Sequence, residues 1–317
     1  MSTLGSGVDL WLIGAGPMAQ AYSVVLEDLG VRHLVIGRGE ESAQDFEAAI
    51  SRPVRVGGLE SVVAEGTVPS SAIVAVGVDH LAEVACTLLD AGVTNLLLEK
   101  PGGLDHKQLT TVREHADSAT VTIAYNRRHY AATAAARRMI NEDGGVTSFA
   151  FEVTEWPNAT EPTQIPLSVR RRWFLAQSSH VVDLAFHLGG RAIDWSCWSS
   201  GSLPWHNEAA RFSGAGITEI GATFGFHGDW EAPGRWGLEI MTRRRRLIFR
   251  PLETLQVMEI GSLDVSEVSI DDQLDRSFKP GIHEQTRAFL VGDNRFSCSL
   301  QQQLENVQIY EKMAGYR

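Results

Sequence analysis

The chain has 317 residues and a formal net charge of −11 at neutral pH, with 44% apolar and 21% charged residues. This composition is typical of a soluble globular protein with enough residues for two hydrophobic cores. The negative charge argues against a nucleic-acid partner and against binding to an anionic membrane surface. No apolar run reaches the ~20 residues that a membrane span requires.

Three cysteines, Cys86, Cys197 and Cys298, lie far apart and are odd in number. Their spacing gives neither a disulfide framework nor a metal-binding pattern, so a reducing compartment is expected. The first seven residues lack the basic and apolar regions of a signal peptide, and we expect a loose lead-in there. These features together predict a cytoplasmic protein.

Predicted strands and helices alternate through the first 126 residues. The first strand, Leu10–Ile13, is followed by a helix that begins at Pro17, where proline removes no intrahelical hydrogen bond. Alternation is typical of parallel βαβ units, so residues 1–126 are predicted to form a doubly wound Rossmann domain of the α/β class. The elements predicted next are helix Pro17–Leu29, strand Val31–Ile36, helix Glu40–Ile50, strands Val54–Val56 and Ala72–Val78, helix His80–Ala91, strand Asn95–Leu98, helix Leu104–Ala116 and strand Val121–Tyr125.

Strands dominate the pattern from residue 127 onward. Runs of strands with few helices between them favour a large, open and mostly antiparallel sheet, so residues 127–317 are predicted to form an α+β domain. Its predicted helices are Tyr130–Asn141, Ser179–Leu188, His283–Val291 and Ser299–Met313, and a proline-bearing loop contains Pro157, Pro162 and Pro166. Its predicted strands are Thr147–Glu155, Trp195–Trp198, Glu208–Ser213, Glu219–Phe226, Trp236–Thr242, Arg246–Phe249, Leu255–Ile260 and Val265–Ile270.

Two glycines separate the first strand from the first helix. The pattern Gly14-x-Gly16-x-x-Ala19 is a variant of the dinucleotide-binding fingerprint. The N–H groups and the dipole at such a helix start favour a pyrophosphate. Ligands of parallel sheets bind at the carboxyl ends of the strands. The cofactor-binding residues predicted from these two arguments are Gly14, Ala15, Gly16, Pro17, Met18, Val76, Gly77, Glu99 and Asn126.

The end of the second predicted strand bears on the choice of nicotinamide cofactor. NAD sites place an acidic residue there, roughly 20 residues after the glycines, to hold the ribose 2′-OH. This chain has Gly37-Arg38 instead. A guanidinium pairs well with a 2′-phosphate, and Ser42 adds a donor, so NADP is predicted. NAD remains the alternative, with Glu40 or Glu41 as the acid.

Three titratable residues in the second half share one helix face. His180, Asp183 and His187 are spaced i, i+3, i+7. A carboxylate beside an imidazole raises its basicity and makes it a useful general base. The alternatives are a polar stripe facing water and a histidine that is hydrogen-bonded within a core. A zinc site is less favoured, because no fourth ligand is apparent and no metal is expected.

Lys100 is a further candidate for chemistry. It follows a buried predicted strand at the ligand-binding edge and precedes Pro101, which keeps it out of the helical region. An ammonium group at this place can stabilise a developing alkoxide. The alternative is an ordinary surface lysine in a strand-to-helix loop.

From Gly14 to about Gly190 the chain resembles the family of glucose–fructose oxidoreductase, inositol dehydrogenase and rhizopine-catabolism proteins (Gfo/Idh/MocA). Of the matching features, the lysine tripeptide and the Asp-x-x-x-His spacing are more specific than the glycine pattern. The family often has glycines where this chain has Ser178 and Ser179, which leaves the identity of the substrate open. The matching residues are Gly14–Ala19, His80, Glu99-Lys100-Pro101, Tyr125–Arg128 and Asp183-x-x-x-His187.

The resemblance implies an NAD(P)-dependent oxidoreductase that moves a hydride between nicotinamide and a hydroxyl or keto carbon of a sugar, cyclitol or nucleotide-sugar. It implies that His187 acts as general acid or base, that Asp183 orients His187 and touches the substrate, and that Lys100 stabilises charge on the same oxygen. Arg127 and His180 are expected to contact substrate as well. Arg172 and Trp173, just before the catalytic helix, are candidates for binding an anion and stacking on a sugar ring, or else for packing in an interface.

Two other functions stay open. One is a non-catalytic NAD(P)-binding sensor or regulatory protein of the same fold, which would not need the lysine and the Asp-x-x-x-His set. The other is a hydrolase that uses NAD transiently, and Arg38 argues against its NAD requirement. A homodimer or homotetramer formed through the C-terminal sheet is expected, since antiparallel sheets often leave one face open.

Overall fold

The structure is a computed structural model that describes residues 9–156 and 165–316. The predicted lead-in and the predicted loop prolines Pro157 and Pro162 lie outside the described residues. The chain divides into two compact units. The first unit comprises the residues up to Asn126 together with Leu274–Leu304, and the second comprises Arg127–Gln273 together with the residues from Glu305 onward.

The first unit is built on a seven-stranded sheet with the order β15-β6-β5-β4-β1-β2-β3. Six strands are parallel, and only β15 pairs antiparallel, with β6. Its strands are β1 (Leu10–Ile13), β2 (His33–Ile36), β3 (Val54–Arg55), β4 (Ser71–Val74), β5 (Asn95–Glu99), β6 (Thr120–Ala124) and β15 (Cys298–Ser299). Its helices are α1 (Pro17–Asp28), α2 (Glu40–Ile50), α3 (Leu59–Val63), α4 (Leu81–Asp90), α5 (His106–Ala116), α9 (Gln273–Ser277) and α10 (Ile282–Val291).

The segment Leu274–Leu304 corrects the predicted domain boundaries. Ile282 and Phe289 of α10 are buried in the same core as Tyr22 and Leu26 of α1. Fully burying an aliphatic or aromatic side chain stabilises a fold by ~1.5–3 kcal/mol, so the apolar face of α10 belongs to this unit. The prediction of residues 1–126 and 127–317 was therefore incomplete, because the sequence pattern alone does not say which core a late helix joins.

The second unit is built on an eight-stranded sheet with the order β14-β13-β12-β11-β7-β10-β9-β8. All neighbouring strands are antiparallel except β7 and β10. Its strands are β7 (Ser148–Glu152), β8 (Ala192–Ser200), β9 (Arg211–Thr218), β10 (Thr223–Asp229), β11 (Gly237–Met241), β12 (Arg245–Phe249), β13 (Gln256–Glu259) and β14 (Ser266–Glu267). Its helices are α6 (Ala131–Glu142), α7 (Leu167–Arg170) and α8 (Ser179–Gly189), and α11 (Leu300–Ala314) has residues in both units.

Aromatic residues fix α8 against the second sheet. Phe149 of β7 stacks on Phe224 of β10 with ring centroids 5.5 Å apart, and Phe186 of α8 meets Phe224 edge-on at 5.2 Å. Gly189 ends α8 where a Cβ would lie 2.3 Å from the Phe149 ring. Phenylalanine at alternate strand positions thus buries one face of the sheet beneath the helix that carries the predicted catalytic residues.

The predicted fold class is confirmed, with differences at element ends. The predicted strand Ala72–Val78 stops at Val74, and residues Val78–His80 form a 3₁₀ turn that leads into α4. A single π-helical turn, Phe174–Ser178, precedes α8, and the sequence pattern did not predict it or α3. Among the described residues, no helix has the length and apolar character that a bilayer crossing requires.

Gly14 and Gly16 give a matched test of the first turn. Gly14 has φ +121° and a Cβ there would lie 2.3 Å from the Ala75 carbonyl oxygen, whereas a Cβ on Gly16 meets no atom within 4 Å. We expect Gly14→Ala to lower the free energy of unfolding by ~1–3 kcal/mol and Gly16→Ala to leave it nearly unchanged. Denaturant unfolding measures both, and equal losses in the two variants would contradict the geometry.

Candidate functional site

A cavity of about 570 Å³ opens at the carboxyl end of the first unit's sheet. This volume is in the range of small-molecule and cofactor sites. Its lining includes seven of the residues that the glycine turn and the strand ends led us to predict as cofactor-binding. Arg38 and Ser42 line the cavity as well. Those nine residues are Gly14, Ala15, Gly16, Pro17, Met18, Arg38, Ser42, Val76 and Gly77.

The cavity has a floor suited to a pyrophosphate. Gly16 caps α1 in an extended conformation, and Pro17 occupies the first helical position. Because Gly16 carries no Cβ and no atom of the described residues lies within 4 Å of that position, an anion can approach the N–H groups at the helix start. The residues therefore fit a dinucleotide.

The far end of the cavity carries charges of both signs. A Cβ on Gly37 would lie 2.9 Å from the Val54 side chain, so the position that bears the acid in NAD sites has no room for one without a shift. Exposed Arg38 lines the cavity at the next position. Glu60, in the first turn of α3, lines it too, and Glu60 was missed because α3 was not predicted.

Glu99 and Asn126, the remaining predicted cofactor-binding residues, are held by protein contacts. Buried Glu99 accepts a hydrogen bond from the Tyr22 hydroxyl at 2.8 Å, and the Asn126 amide donates to the Pro280 carbonyl at 2.9 Å. Burial raises the pKa of the Glu99 carboxyl, against the lowering effect of the Lys100 charge. Neither residue is among those that line the described cavity.

The turn around Lys100 is braced by the segment that returns late in the chain. Lys100 follows β5 and is half-buried. The side-chain amide of buried Gln303 donates to the Pro101 carbonyl at 2.9 Å and to the Tyr125 hydroxyl at 3.1 Å. These bonds fix the backbone of the tripeptide that carries the predicted catalytic ammonium group.

In the second unit, Asp183 is bound by an arginine. Both of its carboxylate oxygens accept hydrogen bonds from Arg128, at 2.8 and 2.6 Å, and both side chains are at most 2% exposed. Burial raises the pKa of the Asp183 carboxyl, while Arg128 and a hydrogen bond with Tyr310 lower it. The structure thus places Asp183 in a buried ion pair, and its described contacts are with other buried protein side chains.

His187, one helical turn further along α8, contacts a second arginine. Arg137 Nη1 lies 3.2 Å from His187 Nε2, and because a guanidinium only donates, this imidazole nitrogen is the acceptor. Burial and the positive charges of Arg128 and Arg137 hold the pKa of His187 well below its ordinary value. An imidazole whose lone pair is engaged and whose cation is disfavoured is a weak general base.

His180, at the start of α8, contacts a different set of residues. Its ring lies 5.9 Å from that of Trp236, and it is 8% exposed. The Trp236 indole N–H donates to Glu155 at 3.1 Å, and the Ser178 hydroxyl donates to the same carboxylate at 2.7 Å. Burial raises the pKa of the Glu155 carboxyl. Clusters of buried ionisable groups of this kind are common at functional sites.

Two arginines lie against the same indole ring. The Arg235 guanidinium is 4.1 Å and the Arg127 guanidinium 5.0 Å from the Trp236 centroid. Arg235 also pairs with Glu155 at 2.7 Å. Arg127 was predicted as a substrate contact, whereas Glu155, Arg235 and Trp236 were missed, because nothing in their local sequence marks them as members of one cluster beside His180.

The predicted substrate residues Arg172 and Trp173 contact other aromatic residues. The Arg172 guanidinium lies 4.5 Å from the Tyr316 ring centroid, and the Trp173 ring meets Trp205 edge-on at 6.2 Å. Their described contacts do not bring them to His180 or Asp183. The structure also shows no group of three His, Cys, Asp or Glu side chains arranged to hold a metal ion within residues 9–156 and 165–316.

Comparison with known proteins rests on structure. No protein-family model matches the chain, and no curated protein matches it. Solved structures do match. Levoglucosan dehydrogenase, in its complex with NADH, is 15% identical with a TM-score of 0.78, covering 96% of each chain.

Two further solved structures cover nearly the whole chain. A putative NADPH-dependent oxidoreductase from Desulfitobacterium hafniense DCB-2 is 14% identical with a TM-score of 0.79, over 98% of this chain and 95% of that one. UDP-N-acetylglucosamine 3-dehydrogenase GnnA from Acidithiobacillus ferrooxidans is 15% identical with a TM-score of 0.74, over 97% of each chain. The chain therefore has the fold of the Gfo/Idh/MocA oxidoreductases, the family that its motifs resemble.

Proposed function

We propose that the protein is an NAD(P)-dependent oxidoreductase acting on a hydroxyl or keto carbon of a sugar, cyclitol or nucleotide-sugar. The observation that carries this proposal is the 570 Å³ cavity on the Gly14–Met18 turn, in a chain with the fold of sugar and nucleotide-sugar dehydrogenases. When bound, nicotinamide supplies or accepts the hydride. The chain's own residues position the substrate and move the proton.

Lys100 is proposed to stabilise negative charge on the reacting oxygen. Gln303 holds the backbone of its turn in place, and Lys100 is a half-buried residue, so its positive charge attracts an alkoxide more strongly than a fully exposed charge does. Preorganised charge of this kind costs no rearrangement at the moment of reaction.

For the proton transfer we propose His180 rather than His187. The Nε2 atom of His187 accepts from Arg137, and the low pKa of His187 disfavours a transient imidazolium. His180 lies beside Trp236 in a cluster with Glu155 and two arginines. The predicted role of His187 nevertheless stays a prediction, and the variants described below decide between the two histidines.

Asp183 is proposed to act as a positioning residue. Its ion pair with Arg128 connects the turn after β6 to α8, and His180 lies in the first turn of α8. Its contact with substrate, implied by the family resemblance, remains a separate prediction.

A non-catalytic NAD(P)-binding sensor is the second candidate. The observation in its favour is that Asp183 and His187, two of the three predicted catalytic residues, have their described contacts inside the second unit. A screen of polyols, sugars and nucleotide-sugars with NADP and NAD, followed at 340 nm (the nicotinamide absorbance), separates the candidates. Turnover supports the enzyme, and tight cofactor binding without turnover supports the sensor.

Self-association through the second sheet remains a proposal. The sheet face opposite the phenylalanines presents small or exposed side chains such as Ala150 and Ala215, with Ile217 and Trp198 toward one edge. A face with small side chains allows a second sheet to approach closely. Sugar-like substrate, cytoplasmic location and NADP preference likewise remain proposals.

Arg38 gives the test of cofactor choice. We expect NADPH to bind more tightly than NADH and Arg38→Asp to lower NADPH affinity ~10- to 100-fold, because a charge-assisted pair with the 2′-phosphate is lost. Fluorescence titration measures both constants. Arg113→Asp, at an exposed arginine outside the cavity, is the control. If the unchanged protein bound NADH more tightly, the NADP prediction would be wrong, and Glu60 would be the residue expected to hold the ribose 2′-OH.

The two histidines are tested as a matched pair. We expect His180→Gln to lower kcat by ~10²- to 10⁴-fold and His187→Gln to lower it less than tenfold, since loss of a general base costs that much. Cofactor affinity should not change in either variant. Lys100→Met should lower kcat by as much as His180→Gln and should also leave cofactor affinity unchanged. A larger loss in the His187 variant would restore the assignment made from the family resemblance.

Asp183→Asn is expected to destabilise the second unit by ~3–5 kcal/mol, because it leaves the Arg128 cation buried without its carboxylate. Denaturant unfolding measures the loss. Asp293→Asn, at a pair on the surface, should leave stability nearly unchanged, because solvent screens that pair. Unchanged stability with lost turnover would show that Asp183 acts on substrate alone.

A further inference from the structure

Arg127 is half-buried, and its guanidinium has no carboxylate partner in the part of the chain that the structure describes. Its Nε is fully buried and finds no acceptor, and within residues 9–156 and 165–316 no carboxylate pairs with this side chain. Its contacts are the Trp236 and Tyr130 rings, at 5.0 and 5.8 Å from their centroids. Burial lowers the pKa of Arg127, as expected for a cation removed from water.

The acidic residues near Arg127 form hydrogen bonds with other side chains. Both Glu155 oxygens are occupied, one by Ser178 and Trp236 and the other by Arg235. Exposed Glu253 accepts a hydrogen bond from the Tyr130 hydroxyl at 3.4 Å. The cluster of Arg127, Glu155, Arg235 and Trp236 therefore holds two guanidinium groups and one carboxylate, a local positive excess in a chain whose net charge is −11.

An aromatic ring does not replace a counter-ion here. Cation–π attraction is weaker than the pairing of a guanidinium with a carboxylate, and burying a cation without a partner is costly. Such a cost persists in a native protein mainly where function requires it. Arg127 also directly precedes Arg128, whose pairing with Asp183 holds the local backbone in place before any ligand arrives.

We propose that Arg127, assisted by Arg235, binds an anionic group of the substrate, a carboxylate or a phosphate. A planar guanidinium pairs with either oxyanion through two parallel N–H donors. The substrate class is then a sugar acid or a sugar phosphate instead of a neutral sugar. Calling the bound anion a substrate rests on the proposed oxidoreductase function, whereas the anion site itself does not.

The test is the binding of D-glucuronate, D-glucose 6-phosphate and D-glucose to the full chain with saturating reduced cofactor, measured by calorimetry. We expect at least one of the two anions to bind ~10-fold or more tightly than glucose. Arg127→Met should lower the affinity for that anion ~10- to 100-fold and leave the affinity for glucose unchanged. The anion preferred distinguishes a carboxylate from a phosphate. Arg127→Lys should retain part of the affinity, and Arg243→Met, at an exposed arginine, all of it.

Thermal unfolding separates a ligand role from a structural one. Because Arg127→Met removes an uncompensated buried charge, its Tm should stay equal or rise. A fall in Tm with unchanged anion affinity would overturn the proposal, as would glucose binding as tightly as both anions, or neither anion binding at millimolar concentration. Anion binding through Arg127 without any turnover would refute the proposed oxidoreductase function and leave the anion site standing.

Discussion

The second unit depends on the buried ion pair between Arg128 and Asp183. It joins the turn after the last parallel strand to the helix that carries both candidate histidines. Arg137 extends the network by donating to the Arg128 carbonyl at 2.7 Å and by contacting His187. Removing either charge of the pair would leave the other buried without compensation, so these groups form one interior polar network. Arg127 and His180 lie close in sequence to Arg128 and Asp183, but both contact Trp236, outside this network.

The fold was largely readable from local pattern. Buried parallel strands appear as continuous apolar runs, and Gly14 and Pro17 have backbone conformations that suit few other residues, so the elements from β1 to β6, apart from α3, were predicted to within a few residues. The Leu274–Leu304 segment was assigned to the wrong unit, because an amphipathic helix shows that one face is buried but not which core buries it. The π-helical turn before α8 likewise arises from packing and has no local signature.

Site residues were predicted unevenly for a similar reason. Sequence spacing placed His180, Asp183 and His187 on one helix, and they are, but spacing does not reveal which partner each side chain meets. Arg128 and Arg137 come from other elements and determine the electrostatics of Asp183 and His187. Trp236 lies beside His180, and Glu155 accepts a hydrogen bond from Trp236, although both residues come from distant parts of the chain. Long-range partners of this kind follow from the assembled sheet.

The last helix has a consequence for the order of events during synthesis. Its first residues, including Gln303, belong to the first unit, and the residues from Glu305 onward belong to the second. Domains generally fold as they emerge from the ribosome, the N-terminal one first. Here the first unit lacks α10, β15 and the hydrogen bonds of Gln303 to the Lys100 turn until residue 304 has emerged, so neither unit is complete while the other is still being made. A fragment ending near residue 126 would expose the apolar side chains of α1 that share a core with Ile282 and Phe289, so it would lack part of the core on which its own fold depends.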